Sequence, residues 1–220
     1  MKGIWALIKK EFLLDYKDGR AWATVGLFVL STDYVVYLGF QEILEAPVWN
    51  ALLWIIILFA AFQVVSRSYD QDDGPREPYL FQLADARQVF LAKALYSMGF
   101  MLCVSLLTYT VYSFFLPFPL AAGYSGLHFL SGLCLGSMGL ALTLSLIAAI
   151  AWKTHGGAGM VAILGFPVIV PLLLSIIRYS SGVVNGSDWA FIQAPALSLL
   201  LVIAIGGALG YLLFPYIWRD

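Results

Sequence analysis

Apolar residues in this chain run in unbroken stretches of spanning length, about 20 residues for a ~30 Å hydrocarbon layer, separated by short polar segments. The stretches lie near 21–40, 48–66, 91–116, 126–151, 159–177 and 189–214. A membrane barrel would alternate with period two, whereas continuous apolar runs of this length form helices. The pattern therefore predicts an all-α membrane protein: one permease-like domain, 1–220, of six transmembrane helices. Residues 2–18 precede the first span and read as an amphipathic helix lying at the membrane surface. Trp5, Ile8, Phe12 and Tyr16 share one side at helical spacing, while Lys2, Lys9, Lys10 and Lys17 lie mostly elsewhere. Glu11 and Asp15 border the apolar stripe, so the separation is imperfect. An interfacial anchor accounts for this helix.

Charge fixes the orientation. If the N-terminus is cytoplasmic, that side receives Lys2, Lys9, Lys10, Lys17, Arg20, Arg67, Arg76, Arg87, Lys93, Lys153 and Arg219, and the far side receives only Arg178. Eleven against one is a positive-inside bias with both termini inside. The first apolar run is of spanning length and no small-residue cleavage site follows it, which argues against a signal peptide. A chain 61% hydrophobic and 11% charged, with mean hydropathy +0.88, is no soluble globular domain and carries no nucleic-acid footprint. Cys103 and Cys134 fall inside expected spans without a C-x-x-C pair and read as buried small hydrophobes.

One segment breaks the apolar pattern. Arg67–Lys93 opens with four of the thirteen acids and two of the twelve bases within eleven residues, including Arg67, Asp70, Asp72, Asp73, Gly74 and Glu77. Such a polar island lies in water between the second and third spans. Solvated surface accounts for it, and a docking surface for a protein with basic groups accounts also for its length. Gly74-Pro75 forces a turn ahead of a second short helix around Tyr79–Val89. The acid spacing is not that of a calcium loop, and no metal site is expected.

Within the spans, Asp33 lies roughly 18 Å from the inner end of the first helix. It is either a functional acid or one accepting hydrogen bonds from a neighbouring helix near a thinned outer surface. Gly132-x-x-x-Gly136 permits close helix approach, within the subunit or at a dimer seam. Pro167 and Pro171, one turn apart, predict a kink or break in the fifth span. Trp49, Trp152, Trp189 and Trp218 sit near span ends, as an interfacial aromatic belt requires. His128, near the outer end of the fourth span, is of the type that ligates haem iron, or else a polar tip at the headgroups. His155 falls on the opposite side, so the two histidines cannot share a metal.

Catalytic signatures are missing. The chain has no G-x-x-x-x-G-K-[S/T] phosphate loop, no H-E-x-x-H, no G-x-S-x-G and no S-x-x-K. A protein like this does no ATP hydrolysis by the phosphate-loop route unaided.

The whole chain resembles the CcmB family, historically called haem exporter protein B. The most specific element is D-x-x-D-G at Asp70, Asp73 and Gly74, within a family pattern F-x-x-D-x-x-D-G. Arg67 stands in place of the phenylalanine, and Pro75-Arg76-Glu77 departs from the family's usual continuation. The Pro167-x-x-x-Pro171 span resembles the family's fifth helix. The resemblance implies a non-catalytic type-2 ABC permease subunit in the bacterial inner membrane, homodimeric within its complex. A CcmA-like ATPase would bind ATP and grip the coupling loop at 67–90 through Arg67, Asp70, Asp73, Gly74 and Glu77. CcmC-like and CcmD-like membrane proteins and a CcmE-like haem chaperone would be the other partners, and haem would be handled through the complex. Two rival readings stay open at this point: a type-2 permease exporting another small molecule, and a non-ABC intramembrane scaffold or enzyme organised around Asp33.

Overall fold

The computed structural model describes residues 2–40, 44–70, 85–117, 125–153 and 157–219, and among them it is wholly helical. Helix α1 spans Lys2–Asp18, α2 Arg20–Gly39, α3 Ala46–Asp70, α4 Ala86–Phe115, α5 Gly126–Lys153, α6 Gly157–Val184 and α7 Trp189–Arg219. Six of these, α2 to α7, are long and apolar enough to cross a membrane. They alternate in direction, which puts α1, the ends of α3, α5 and α7, and the starts of α2, α4 and α6 on one side, here called the N-terminal side. The fold is all-α, with six spans and a short helix before them, as the apolar pattern predicts. Helix α6 continues to Val184, well past the expected end of the fifth span at 177.

The joint between α1 and α2 is a single residue. Gly19 sits at φ 61°, a left-handed conformation in which a Cβ is strained. The chain therefore ends one helix and starts the next without a linker.

Helix α5 is the hub, packed against α3, α4, α6 and α7. Its glycines explain why. A Cβ on Gly132 would lie 2.3 Å from Tyr179 Cε1 of α6, one on Gly136 2.6 Å from Trp54 Cη2 of α3, and one on Gly139 2.8 Å from Ile203 Cγ1 of α7. The G-x-x-x-G stripe thus serves packing within the subunit. Each intruding ring is also pinned. Tyr179 donates to the His128 carbonyl at 3.1 Å and lies 3.1 Å from Ser131 Oγ, and Trp54 Nε1 donates to Ser180 Oγ at 2.9 Å. Without a hydrophobic driving force between helices in lipid, such close approach and such hydrogen bonds hold the spans together.

Far from the N-terminal side, an aromatic cap joins α3, α4 and α5. The Trp49 ring lies 5.1 Å from that of Tyr112, edge to face, and 5.9 Å from that of Phe129, donating from Nε1 to the Leu116 carbonyl, while Tyr112 donates to the Trp49 carbonyl. Trp49 is fully buried and Trp152 nearly so, so neither belongs to an interfacial belt; Trp189 is exposed, as a belt residue should be. Cys103 is exposed and Cys134 half-buried, so the first is not the core residue expected.

Helix α6 does not break at Pro167 and Pro171; both sit inside one continuous helix. In hydrocarbon, abandoning the helix would expose further amides and carbonyls, which costs more than the two missing donors. Ser175 Oγ donates to the Pro171 carbonyl at 3.1 Å. Helix α7 carries Pro195 and Pro215 in the same way, and their number was not singled out by the sequence pattern.

Gly132→Leu and Gly136→Leu should each destabilise the bundle by at least the ~1–3 kcal/mol of ordinary core overpacking. Gly99→Ala, where a Cβ meets nothing within 4 Å, should leave stability unchanged or raise it. Thermal unfolding midpoints of the purified protein in detergent check both.

Candidate functional site

Helix α1 is not held by its apolar stripe alone. Trp5 and Tyr16 are largely exposed, Ile8 and Phe12 border a cleft with Trp22 and Tyr96, and the face that meets the bundle carries Glu11 and Asp15, only 3% and 7% exposed. The two acids sit four residues apart, one helical turn, and so share that face. Both are met by groups on α3 and α4.

Lys93 of α4, 4% exposed, brings its ammonium to 3.6 Å from Glu11 Oε1, donates to the Ser68 carbonyl of α3 and lies 4.8 Å over the Tyr69 ring. Lys10 adds a second cation 3.3 Å from the same carboxylate oxygen. On the next turn of α1, Tyr96 donates to Asp15 Oδ2 at 2.5 Å, and Arg67 Nε lies 3.6 Å from Asp15 Oδ1, an ion-pair distance. Charges taken out of water are tolerated only when paired and hydrogen-bonded. Here two carboxylates face three cations and a phenol, and the set binds three helices at one point.

The position of the cluster gives it meaning. Arg67, Ser68 and Tyr69 are the last residues of α3 before the acidic segment, and Lys93 and Tyr96 stand two to three turns into α4 after it. The cluster spans the base of the polar loop and ties both stems to α1. Of the residues expected to carry coupling, Arg67 belongs to this cluster. Asp70 is the last residue of α3, and Asp73, Gly74 and Glu77 lie outside the described residues. The short helix expected around Tyr79–Val89 lies partly outside them too; its portion from Ala86 is the first turn of α4.

Asp33 is fully buried, and neither carboxyl oxygen has a hydrogen-bond partner among the described residues. It therefore faces the bundle, without the accepted hydrogen bonds that a structural role would supply. Its surroundings include Tyr112 of α4, close enough to interact with it electrostatically. On the same far side His128 is exposed, its Nδ1 2.8 Å from Ser125 Oγ and its ring 5.5 Å from that of Trp189 in a tilted arrangement. Among the described residues, no group of three or more metal-ligating side chains occurs.

Glu11, Asp15, Lys93 and Tyr96 were not picked out as a site by the sequence reading. The signal was present: two acids one turn apart on a surface helix's apolar margin, and a lysine inside the start of a span. Lys93→Met should leave Glu11 with the part-exposed Lys10 as its only close cation among the described residues and free the Ser68 carbonyl, costing up to about 3–5 kcal/mol, the range for breaking a buried ion pair. Lys93→Met combined with Glu11→Gln should recover part of that loss. A double-mutant cycle on unfolding midpoints in detergent measures it.

A family model described as CcmB protein matches residues 2–213. Comparisons with curated proteins and with solved structures gave no match. The match takes in α1, five spans whole and most of the sixth, and the polar loop between α3 and α4, the segments on which the geometry above depends. The chain therefore belongs to the CcmB family: it is a multi-pass permease subunit, without catalytic function of its own, of the haem-export machinery of cytochrome c maturation, which works with an ATPase partner in an ABC transporter complex.

Proposed function

We propose that this subunit converts ATP-driven closure of a CcmA-like ATPase into movement of the bundle, and that this movement frees a haem-loaded CcmE-like chaperone from CcmC-like and CcmD-like membrane partners. The ATPase would press on the loop at 67–90, with Asp70 and Asp73 as charge-assisted acceptors, Glu77 and Arg67 beside them and Gly74 as the turn. The complex would sit in the bacterial inner membrane with both chain termini in the cytoplasm and two copies of this chain. Pro167 and Pro171 would give α6 the compliance to follow, and Asp33 and His128 have no assigned part in the step. ATP would be bound on the partner alone, and haem would pass through the complex.

The observation that carries this reading is the charge cluster at the loop's base. A push on a loop does nothing if its two stems yield independently. Here the Lys93 hydrogen bond to Ser68 locks the stems of α3 and α4 together, and Glu11 and Asp15 fasten α1 to both. Force applied at the loop is thereby shared by three helices.

Asp70→Ala with Asp73→Ala should abolish co-purification of the ATPase while the variant still inserts and folds. In cells, covalent haem in periplasmic c-type cytochromes should fall to the level of a strain lacking the gene. Normal recovery of ATPase with the double variant would refute the coupling role.

A further inference from the structure

The start of α4 grips a further helix. By helical geometry Arg87 and Phe90 lie about 120° round α4 from Lys93 and Tyr96, and so form a second face. That face meets α7 near its end on the N-terminal side. The Phe90 ring is fully buried and lies 5.3 Å from that of Phe214, which is buried too. It sits in a notch left by Gly210, one turn before Phe214. A Cβ on Gly210 would run into Phe90 Cζ and come within 2.6 Å of its Cε1 and 3.1 Å of its Cε2. Beside the notch, the Arg87 guanidinium lies 5.0 Å over the Tyr211 ring.

Helix α7 directs most of its residues outward and packs on α5 and α6 through a narrow stripe. Ile203 enters at Gly139, and Gly207, Gly210 and Phe214 continue the stripe towards the N-terminal side. At the other end of α7, Trp189 lies beside His128, roughly 31 Å along the helix from Gly210. A glycine at a helix contact lets a ring rest on the backbone. The notch has no room for one extra carbon, and close-packed interiors transmit strain rather than absorb it. Phe90 also stands three residues before Lys93, whose bond to the Ser68 carbonyl joins the two stems of the polar loop. One turn of α4 thus holds both stems on one face and α7 on the other.

We propose that Phe90 and Gly210 are positioning residues of the coupling step. The seated ring makes α7 move with the second stem of the polar loop, and α7 carries that movement to the far face beside His128. Arg87 on Tyr211 holds the stem in register with the notch. This inference rests on the coupling reading above, which supplies the push on the loop. It adds α7 to the helices that receive the push, and it assigns the transfer to a pair of residues outside the loop.

The test is a size exchange in the complex with its ATPase. Gly210→Ala crowds the notch, and Phe90→Leu empties it by removing Cε1, Cε2 and Cζ, the atoms that a Cβ would meet. Each variant alone should recover ATPase normally yet lose covalent haem from periplasmic c-type cytochromes, and the two together should restore most of it. If Gly210→Ala fails to insert, Phe90→Leu, which leaves a gap and no clash, decides alone. A readout beyond packing comes from Ala190→Cys at the far end of α7, with Cys103→Ser and Cys134→Ser, labelled by a maleimide in the purified complex. Adding ATP should change the labelling rate, and Phe90→Leu should remove that change. Full cytochrome maturation in Phe90→Leu, or an ATP effect on labelling that survives it, overturns the proposal. Because these results are read with the ATPase bound, they fail separately from the coupling role of Asp70 and Asp73, which is judged by ATPase recovery.

Discussion

A carboxylate removed from water must find a positive charge or a hydrogen-bond donor, and Glu11 and Asp15 find both only because α1, α3 and α4 converge on them. That requirement places the surface helix. Its apolar side chains alone would let it lie anywhere on the bilayer plane, in any rotation about its axis. The pairing of Glu11 with Lys93, and of Asp15 with Tyr96 and Arg67, selects one location and one rotation. Burying such charges brings little net stability against a well-packed apolar alternative, but removing one partner is expensive. The set is therefore better understood as a specification of geometry than as a source of cohesion.

Cohesion comes from elsewhere. In the centre, α5 gives up side-chain volume at Gly132, Gly136 and Gly139, so that Tyr179, Trp54 and Ile203 can enter. At the far end, Trp49, Tyr112 and Phe129 close the bundle with rings and indole–carbonyl bonds. Helices α2 and α7 direct most of their residues outward, although α7 closes on α5 through Ile203. The molecule thus has a closely packed centre around α5, to which α2 contributes little.

Much of this was legible in the sequence because hydropathy is a sum over many residues and tolerates local errors. The six spans, the helix that precedes them and the small-residue stripe of α5 all follow from composition at the right spacing. What the stripe touches did not follow, since Gly132 and Gly136 announce an approach without naming Tyr179 or Trp54. Glu11 and Asp15 look like flaws in an amphipathic helix because a helical wheel holds no partner to pair them with; only Lys93, Tyr96 and Arg67, far along the chain, make them inward-facing. Trp49 and Trp152 were assigned to the interface by their position along the span, whereas burial depends on which way the ring turns. Pro167 and Pro171 predict a kink or break; the helix continues through both, because in hydrocarbon freed carbonyls are not solvated. The D-x-x-D-G element pointed to the family through Asp70, Asp73 and Gly74, and no physical spacing rule alone would have done so.

Gly19 has one more implication. Covalently, α1 is the leader of α2, joined by a residue with no side chain and an unusual backbone setting. Mechanically, α1 belongs to α3 and α4, where its acids are held. Any tilt of that pair must therefore reach the first span through a one-residue swivel. Helix α2 is towed by its neighbours, and its angle in the bilayer is dictated by partners that it does not itself grip tightly.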